Sequence, residues 1–381
     1  MNKSAQFEVN IDFLNNNIDK LFDYYKDYKY KIADLRSNAF GMGLYVVKHL
    51  AEKNFDYVFT NTLKEAIEVR KYNQSIPILI NKRVDSEFIY DAINNNVTIT
   101  IDSYGYLEQL NELDLKDDLK VHILINNNAN VIGLNEDELY MAYELIKDNK
   151  HLVLEGLYTN ITTYGIDDNH YYEQVSIFRQ SISRINTEGL IIHGNEPIMY
   201  HKKLDYFNGI KFDVSLWGLI QNYKTTFISN HRRKKIESMY QENAFGELPF
   251  DLEVVFAITA KIERIISVPK DSLIGRNYIA LDDINVAVID AGHKDGITKA
   301  LKVVVVNQEI CDVLTDDIDT MYIKVSDDVS VGDKVYLISD FNNIDSVLLN
   351  LKTNRYYLLS ILNTDLKRVY IMGDEEEELY Y

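Results

Sequence analysis

From residue 29 to about 220 the chain alternates short β-rich runs with helix-length amphipathic stretches, and this alternation limits its fold more than any other feature. Eight strands are predicted: Tyr30–Arg36, Tyr57–Asn61, Pro77–Asn81, Val97–Ile101, Lys120–Asn126, Leu152–Asn160, Gly189–His193 and Phe212–Leu216. Between them Leu44–Lys53, Leu63–Tyr72 and Asp137–Lys147 repeat apolar residues at three- and four-residue spacing, as amphipathic helices do. A parallel strand needs a crossover to reach the next one, and eight βα units close a TIM-type (β/α)8 barrel. Functional groups in such a barrel are sought at the C-terminal ends of the strands.

After Gly218 the pattern changes. A polar, basic stretch through Asn243 leads into strand-like runs at Leu252–Ala260, Val286–Asp290, Val303–Val306, Met321–Val325 and Lys334–Ile338, separated by Gly and Asp turns. The fold class is therefore α/β, a TIM-type barrel over residues 1–245 followed by a mostly β domain over 246–381, with residues 1–10 able to pack with the β domain. A length of 381 residues suits two cores.

The single cysteine, Cys311, rules out an intramolecular disulfide and fits a reducing compartment. The start, MNKSAQFEVN, has no apolar signal segment, and runs such as Val303–Val306 are too short to span a bilayer, so a cytoplasmic location without membrane contact is expected. A net charge of -19 opposes binding to a phosphate backbone, so nucleic acid is not an expected partner. The basic run His231, Arg232, Arg233, Lys234, Lys235 and the acidic tail Glu375–Glu378 read as solvated surface. His122, His193 and His293 lack the H-E-x-x-H or H-x-H spacing of a metal site, and Asp295 before Gly296 suits a tight turn; no metal is expected.

Five segments in a fixed order carry a family resemblance. They are Leu35-Arg36-Ser37-Asn38-Ala39-Phe40-Gly41-Met42-Gly43, Leu63-Lys64-Glu65-Ala66-Ile67-Glu68-Val69-Arg70, Leu154-Glu155-Gly156-Leu157-Tyr158-Thr159-Asn160, Gly292-His293-Lys294-Asp295-Gly296 and Val331-Gly332-Asp333-Lys334-Val335. Together they resemble the alanine racemase family of fold-type III pyridoxal-phosphate enzymes. The resemblance implies a barrel plus a β domain, a head-to-tail homodimer, and a cofactor held as a Schiff base on a lysine in the barrel mouth. It also implies that a tyrosine from the partner's β domain acts on the other face of the substrate.

At the aligned positions the residue types differ from the family's. Arg36 stands at the lysine position, and a guanidinium stays charged and forms no imine. Lys31 is one strand parity off and points away from the interior. Ile274 aligns with the catalytic tyrosine, with Tyr278 keeping the segment's second tyrosine. Leu216 replaces the arginine aimed at the cofactor's pyridine nitrogen, and Val131 replaces a second orienting arginine. Asn160 stands for a strand-end histidine and Phe40 for a phosphate-binding tyrosine. Glu196 falls near the phosphate-binding serine, with a one-residue shift open, while Tyr356 or Tyr357 keeps a phosphate-binding tyrosine.

These substitutions lead to the expectation of a non-catalytic pseudoenzyme without a cofactor, acting as a binding, regulatory or scaffolding protein linked to cell-wall or D-amino-acid metabolism. It would work as a homodimer or bound to another protein. Two alternatives are an amino-acid or anion sensor and an active pyridoxal-phosphate racemase whose lysine lies elsewhere. For the sensor, Arg36, Asn126, Asn160 and Asn195 at strand ends are the candidates to grip a small carboxylate or phosphate. Strand parity also places Asp34 beside Arg36, where it would balance the guanidinium charge.

Overall fold

The protein is described from a computed structural model at residues 5–128, 132–161, 168–195, 203–219, 248–296, 301–340, 344, 358–359 and 366–379. It divides into two compact units: Asn15–Ala39 with Leu44–Leu252, and Met1–Leu14 with Phe40–Gly43 and Glu253–Tyr381.

The first unit is a closed barrel of eight parallel strands: β2 (Tyr30–Asp34), β3 (Tyr57–Thr60), β4 (Ile78–Ile80), β5 (Val97–Ile101), β6 (Leu119–Leu124), β7 (Leu152–Thr159), β8 (Ile191–Gly194) and β9 (Gly209–Phe212). Alternate residues face inward, and Ile32, Tyr57, Phe59, Leu79, Leu124, Tyr158 and Ile191 form one buried cluster inside. The intervening residues face the helices. Phe212 thus packs at ring distances of 6.0 Å from Phe22, on the helix Ile11–Tyr24, and 6.1 Å from Tyr25, just after that helix.

The last strand is the main departure from the sequence reading. It runs Gly209–Phe212 and not Phe212–Leu216. Gly209 reads as a loop residue, yet it is needed in the strand: a Cβ there would sit 3.0 Å from the His193 Cβ. Asn208 fixes the register, accepting from Ile192 N at 2.7 Å and donating to Leu190 O at 2.8 Å. The shift brings Lys211 into the barrel wall, level with Ile32 of β2.

A second close approach involves Gly156, where β6 and β7 shift register around Glu155. A Cβ on Gly156 would lie 2.6 Å from Ile191 O and 2.7 Å from His122 Nδ1. We expect Gly156→Ala to lower stability by about 2 kcal/mol in urea unfolding, because a backbone carbonyl cannot step aside. Unchanged stability would mean that β7 and β8 are less tightly apposed than described.

The second unit holds a nine-stranded sheet that contains β1 (Gln6–Asn10). This strand lies between β10 (Phe256–Val268), antiparallel, and β18 (Lys367–Met372), parallel. Its Glu8 is buried and held by Thr259 at 2.8 Å and Lys334 at 2.7 Å. Arg368, fully buried, donates to Gly41 O at 2.9 Å and Leu366 O at 2.6 Å, so the carbonyls of the Gly-Met-Gly segment serve as structural acceptors. Among the described residues no helix is long and apolar enough to cross a membrane.

Candidate functional site at the C-terminal end of the barrel

The first strand ends in a strained turn. Ser37, Asn38, Ala39 and Phe40 have φ of 55, 57, 54 and 54°. Left-handed backbone costs roughly 1–2 kcal/mol per non-glycine residue, and such strain gathers at functional sites. Neighbouring groups hold the turn in place. Glu65 accepts from Asn38 N at 3.2 Å and Asn61 N at 2.7 Å, while Asn38 Oδ1 accepts from Leu44 N at 3.1 Å. The Glu-Ala motif of the helix Leu63–Tyr72 thus serves the end of β2, and its Arg70 donates to the carbonyls of Ile76, Asn95 and Asn96.

Just before this turn lies a cluster of charge. Asp34 is fully buried; Arg36 Nε lies 2.9 Å from both of its carboxylate oxygens, and Arg36 Nη2 lies 2.8 Å from Oδ2. Lys211 Nζ approaches the same Oδ2 at 3.5 Å and lies 3.9 Å from the centroid of the Phe59 ring. Burial disfavours the Asp34 charge, but Arg36 and Lys211 outweigh it and hold the carboxyl below its ordinary range. Burial likewise works against the Lys211 charge. Asp34 supports it and Arg36 opposes it, and the net effect lowers the amine to about 8.

Deeper in the barrel, His122 Nδ1 and His193 Nε2 are 3.2 Å apart, and the His193 ring stacks 4.9 Å from Tyr158. Burial pushes His122 down to about 4, and burial together with His122 and Lys211 pushes His193 well below its usual value. Thr100 Oγ1 lies 3.0 Å from the Tyr158 hydroxyl. On the strand-end loops Arg83 Nε pairs with Asp102 at 2.6 Å. Among the described residues no group of three or more His, Cys, Asp or Glu could hold a metal ion.

The asparagines at the strand ends serve local backbone. Asn195 accepts from Ile161 N at 2.7 Å and donates to Ile161 O at 3.0 Å. Asn126 Oδ1 accepts from Asn128 N at 2.9 Å, and the Asn160 carbonyl accepts from Asn127 Nδ2 at 2.9 Å. Leu216 is buried, and Lys31 donates to Tyr28 O with its amine 5.7 Å from the Phe22 ring, on the helix side of β2. In the β domain Ile274 is packed with Ala280 and Val286. Val131, Glu196, Tyr356 and the run 231–235 lie outside the described residues. The residue that the sequence reading missed is Lys211. Its signal was present as Ile32's counterpart in an alternating strand, but the strand was drawn to start one residue after it.

The description "Alanine racemase, N-terminal domain" matches residues 9–195, and "Alanine racemase, C-terminal domain" matches 255–370. A curated alanine racemase of Staphylococcus epidermidis is 25% identical over 385 aligned residues, covering 96% of each chain. The solved alanine racemase of Clostridium difficile 630 superposes with a TM-score of 0.85 at 22% identity, over 100% of this chain and 99% of that one. A histidine racemase from Leuconostoc mesenteroides subsp. sake superposes at 0.81 with 19% identity, over 97% and 98%.

These matches overturn the expectation of a non-catalytic binding, regulatory or scaffolding protein without a cofactor. That expectation took the replaced residues Arg36, Ile274, Leu216, Val131 and Asn160 together as the loss of the chemistry, with an active racemase kept only as an alternative. The barrel wall in fact carries Lys211 on the strand next to β2, and the relatives matched along the whole chain are racemases by name. With that expectation falls the absence of pyridoxal phosphate, which enzymes of this kind use. Both domain descriptions match in order and together span well over half of the sequence, so the chain belongs to the alanine racemase family.

Proposed function

We propose that this chain is a pyridoxal-phosphate-dependent amino-acid racemase of the alanine racemase type. The observation that carries this reading is the end-to-end match to a relative named alanine racemase, across both domains. The donor set at the barrel end is chemically compatible with the cofactor. It offers a buried primary amine, Lys211, and a guanidinium, Arg36, whose side chain is 33% exposed and can meet an anion. Arg36 and Ile274, standing where the resemblance aligns the lysine and the tyrosine, are read as a relocation of chemistry rather than its loss.

When bound, pyridoxal phosphate supplies an electron sink that makes the α-proton of an amino acid removable. The chain's own groups contribute the rest. Arg36 binds a carboxylate or phosphate at the barrel mouth, and Lys211, buried beneath it, shares the Asp34 carboxylate that orients that guanidinium. Asp34 keeps both cations in place. A homodimer is part of this reading. The strands β11 (Leu273–Ile274) and β12 (Tyr278–Ile279) expose Leu273 and Ile279, at 65% and 56%, and Leu281 beyond them is 72% exposed, an apolar surface suited to a protein partner. Buried Cys311 supports a reducing, cytoplasmic setting.

Purified protein supplied with pyridoxal phosphate should interconvert L- and D-alanine, read by the decay of optical rotation. Histidine and other L-amino acids are tried alongside, because the same fold also carries a racemase named for histidine. No racemisation of any amino acid above a cofactor-only control would overturn the reading.

A further inference from the structure

We propose that the β domain carries a binding site of its own, a surface groove that takes a small basic amino acid. It lies where three paired strands end together: β10, β13 (Ile284–Ile289) and β16 (Met321–Val325). All of its lining belongs to the second unit, so the site stands apart from the barrel and from the racemase reading.

The groove holds about 730 Å³ and is open to solvent, a volume suited to a small molecule. Val268, Pro269 and Ile284 supply apolar surface, along which the methylene stem of an amino acid can lie. Charge decides which amino acid fits. Asp282, Asp283 and Asp327 face one ammonium, Lys324, in the same lining, so the groove favours a ligand of net positive charge that still carries an anion.

Among the described residues, neither the Asp282 carboxylate nor the Lys324 ammonium has an ion pair or a side-chain hydrogen bond. Two opposite charges that line one groove without meeting leave room for a molecule to bridge them, its ammonium on Asp282 and its carboxylate on Lys324. The remaining carboxylates are held in place. Asp327 accepts from Asn285 Nδ2 at 2.6 Å, Asn285 Oδ1 accepts from Ser267 Oγ at 2.9 Å, and Asp283 accepts from Lys270 N at 2.8 Å. These donors are uncharged amide and hydroxyl groups, so they position the two carboxylates without neutralising them. Both are left to attract a second ammonium, the one on a basic side chain. A bare metal ion does not suit the lining: among the described residues no group of three or more His, Cys, Asp or Glu could hold one. Charges spread this widely call for an extended molecule.

The test titrates the isotope-labelled full-length protein with L-lysine and follows backbone amides by TROSY NMR. Shifts should saturate in the millimolar range, as exposed ion pairs allow, and centre on residues 267–268, 282–285 and 324–327. D282N and K324Q alter exposed side chains and should unfold at the parent's temperature, yet each should weaken L-lysine binding about threefold. L-Alanine, with one ammonium fewer, should bind more weakly than L-lysine. Cadaverine has no carboxylate for Lys324 to meet, so K324Q should leave its affinity undiminished. Shifts confined to the barrel overturn the proposal. So does an L-lysine affinity indifferent to both substitutions, or calcium chloride reproducing the L-lysine shifts at equal concentration.

Discussion

Asp34→Ala should destabilise the barrel by about 3 kcal/mol at pH 7, because it strands two cations in a buried setting. Arg36, a third exposed, can turn toward water, but Lys211 at 1% exposure cannot. Lys211 has another way out: it can give up its proton. Its amine already titrates near 8 in the folded protein against an ordinary 10.5, so below pH 8 its charge is an unfavourable feature of the native state. Without Asp34 that value falls further. The penalty of the variant should therefore shrink by roughly half at pH 9, where the amine is neutral in either protein. Urea unfolding at the two pH values checks this. An equal penalty at both would show that Asp34 does not serve as the counter-charge of Lys211.

Acid should weaken the native protein well before its carboxylates titrate. His122 and His193 are fully buried and contact each other, and among the described residues His122 Nε2 and His193 Nδ1 have no hydrogen-bond partner. Burial therefore disfavours a charge on either ring. The unfolded chain takes up protons as the pH falls through 6.5, whereas folded His122 waits until about 4 and His193 lower still. Because the unfolded state binds more protons in that window, stability is lost as the pH falls. From pH 7 to pH 5 the loss is about 2 kcal/mol for each histidine and about 4 kcal/mol for the pair. Denaturant unfolding measures the loss, and NMR of the ring nuclei should show neither histidine becoming protonated in the native state between pH 7 and pH 5. A ring titrating near 6.5 would mean that water reaches the barrel interior.

Much of the fold could be read before any coordinates. Strand and helix periods identify themselves locally, so seven of the eight barrel strands lie where alternating runs such as Tyr57–Thr60 and Val97–Ile101 place them. The eighth begins at Gly209, three residues earlier than read; the reason for the glycine is the 3.0 Å approach of His193 on the neighbouring strand β8, which only the paired strands reveal. That displacement concealed Lys211.

Arg36, Leu216 and Ile274 are plain in the sequence as departures from a family pattern, because a motif compares positions one at a time. Whether an active site survives such departures is a question of space. Barrel closure sets β9 against β2, and only then do Lys211 and Asp34 come within 3.5 Å and shift each other's proton affinity. The sequence by itself determined the barrel, the β domain and the family, since periodicity and ordered motifs are properties of the chain read along its length. The tertiary structure alone decided which amine lies inside the barrel and which charges it meets, because proximity across a closed sheet depends on register and burial between residues far apart in the chain.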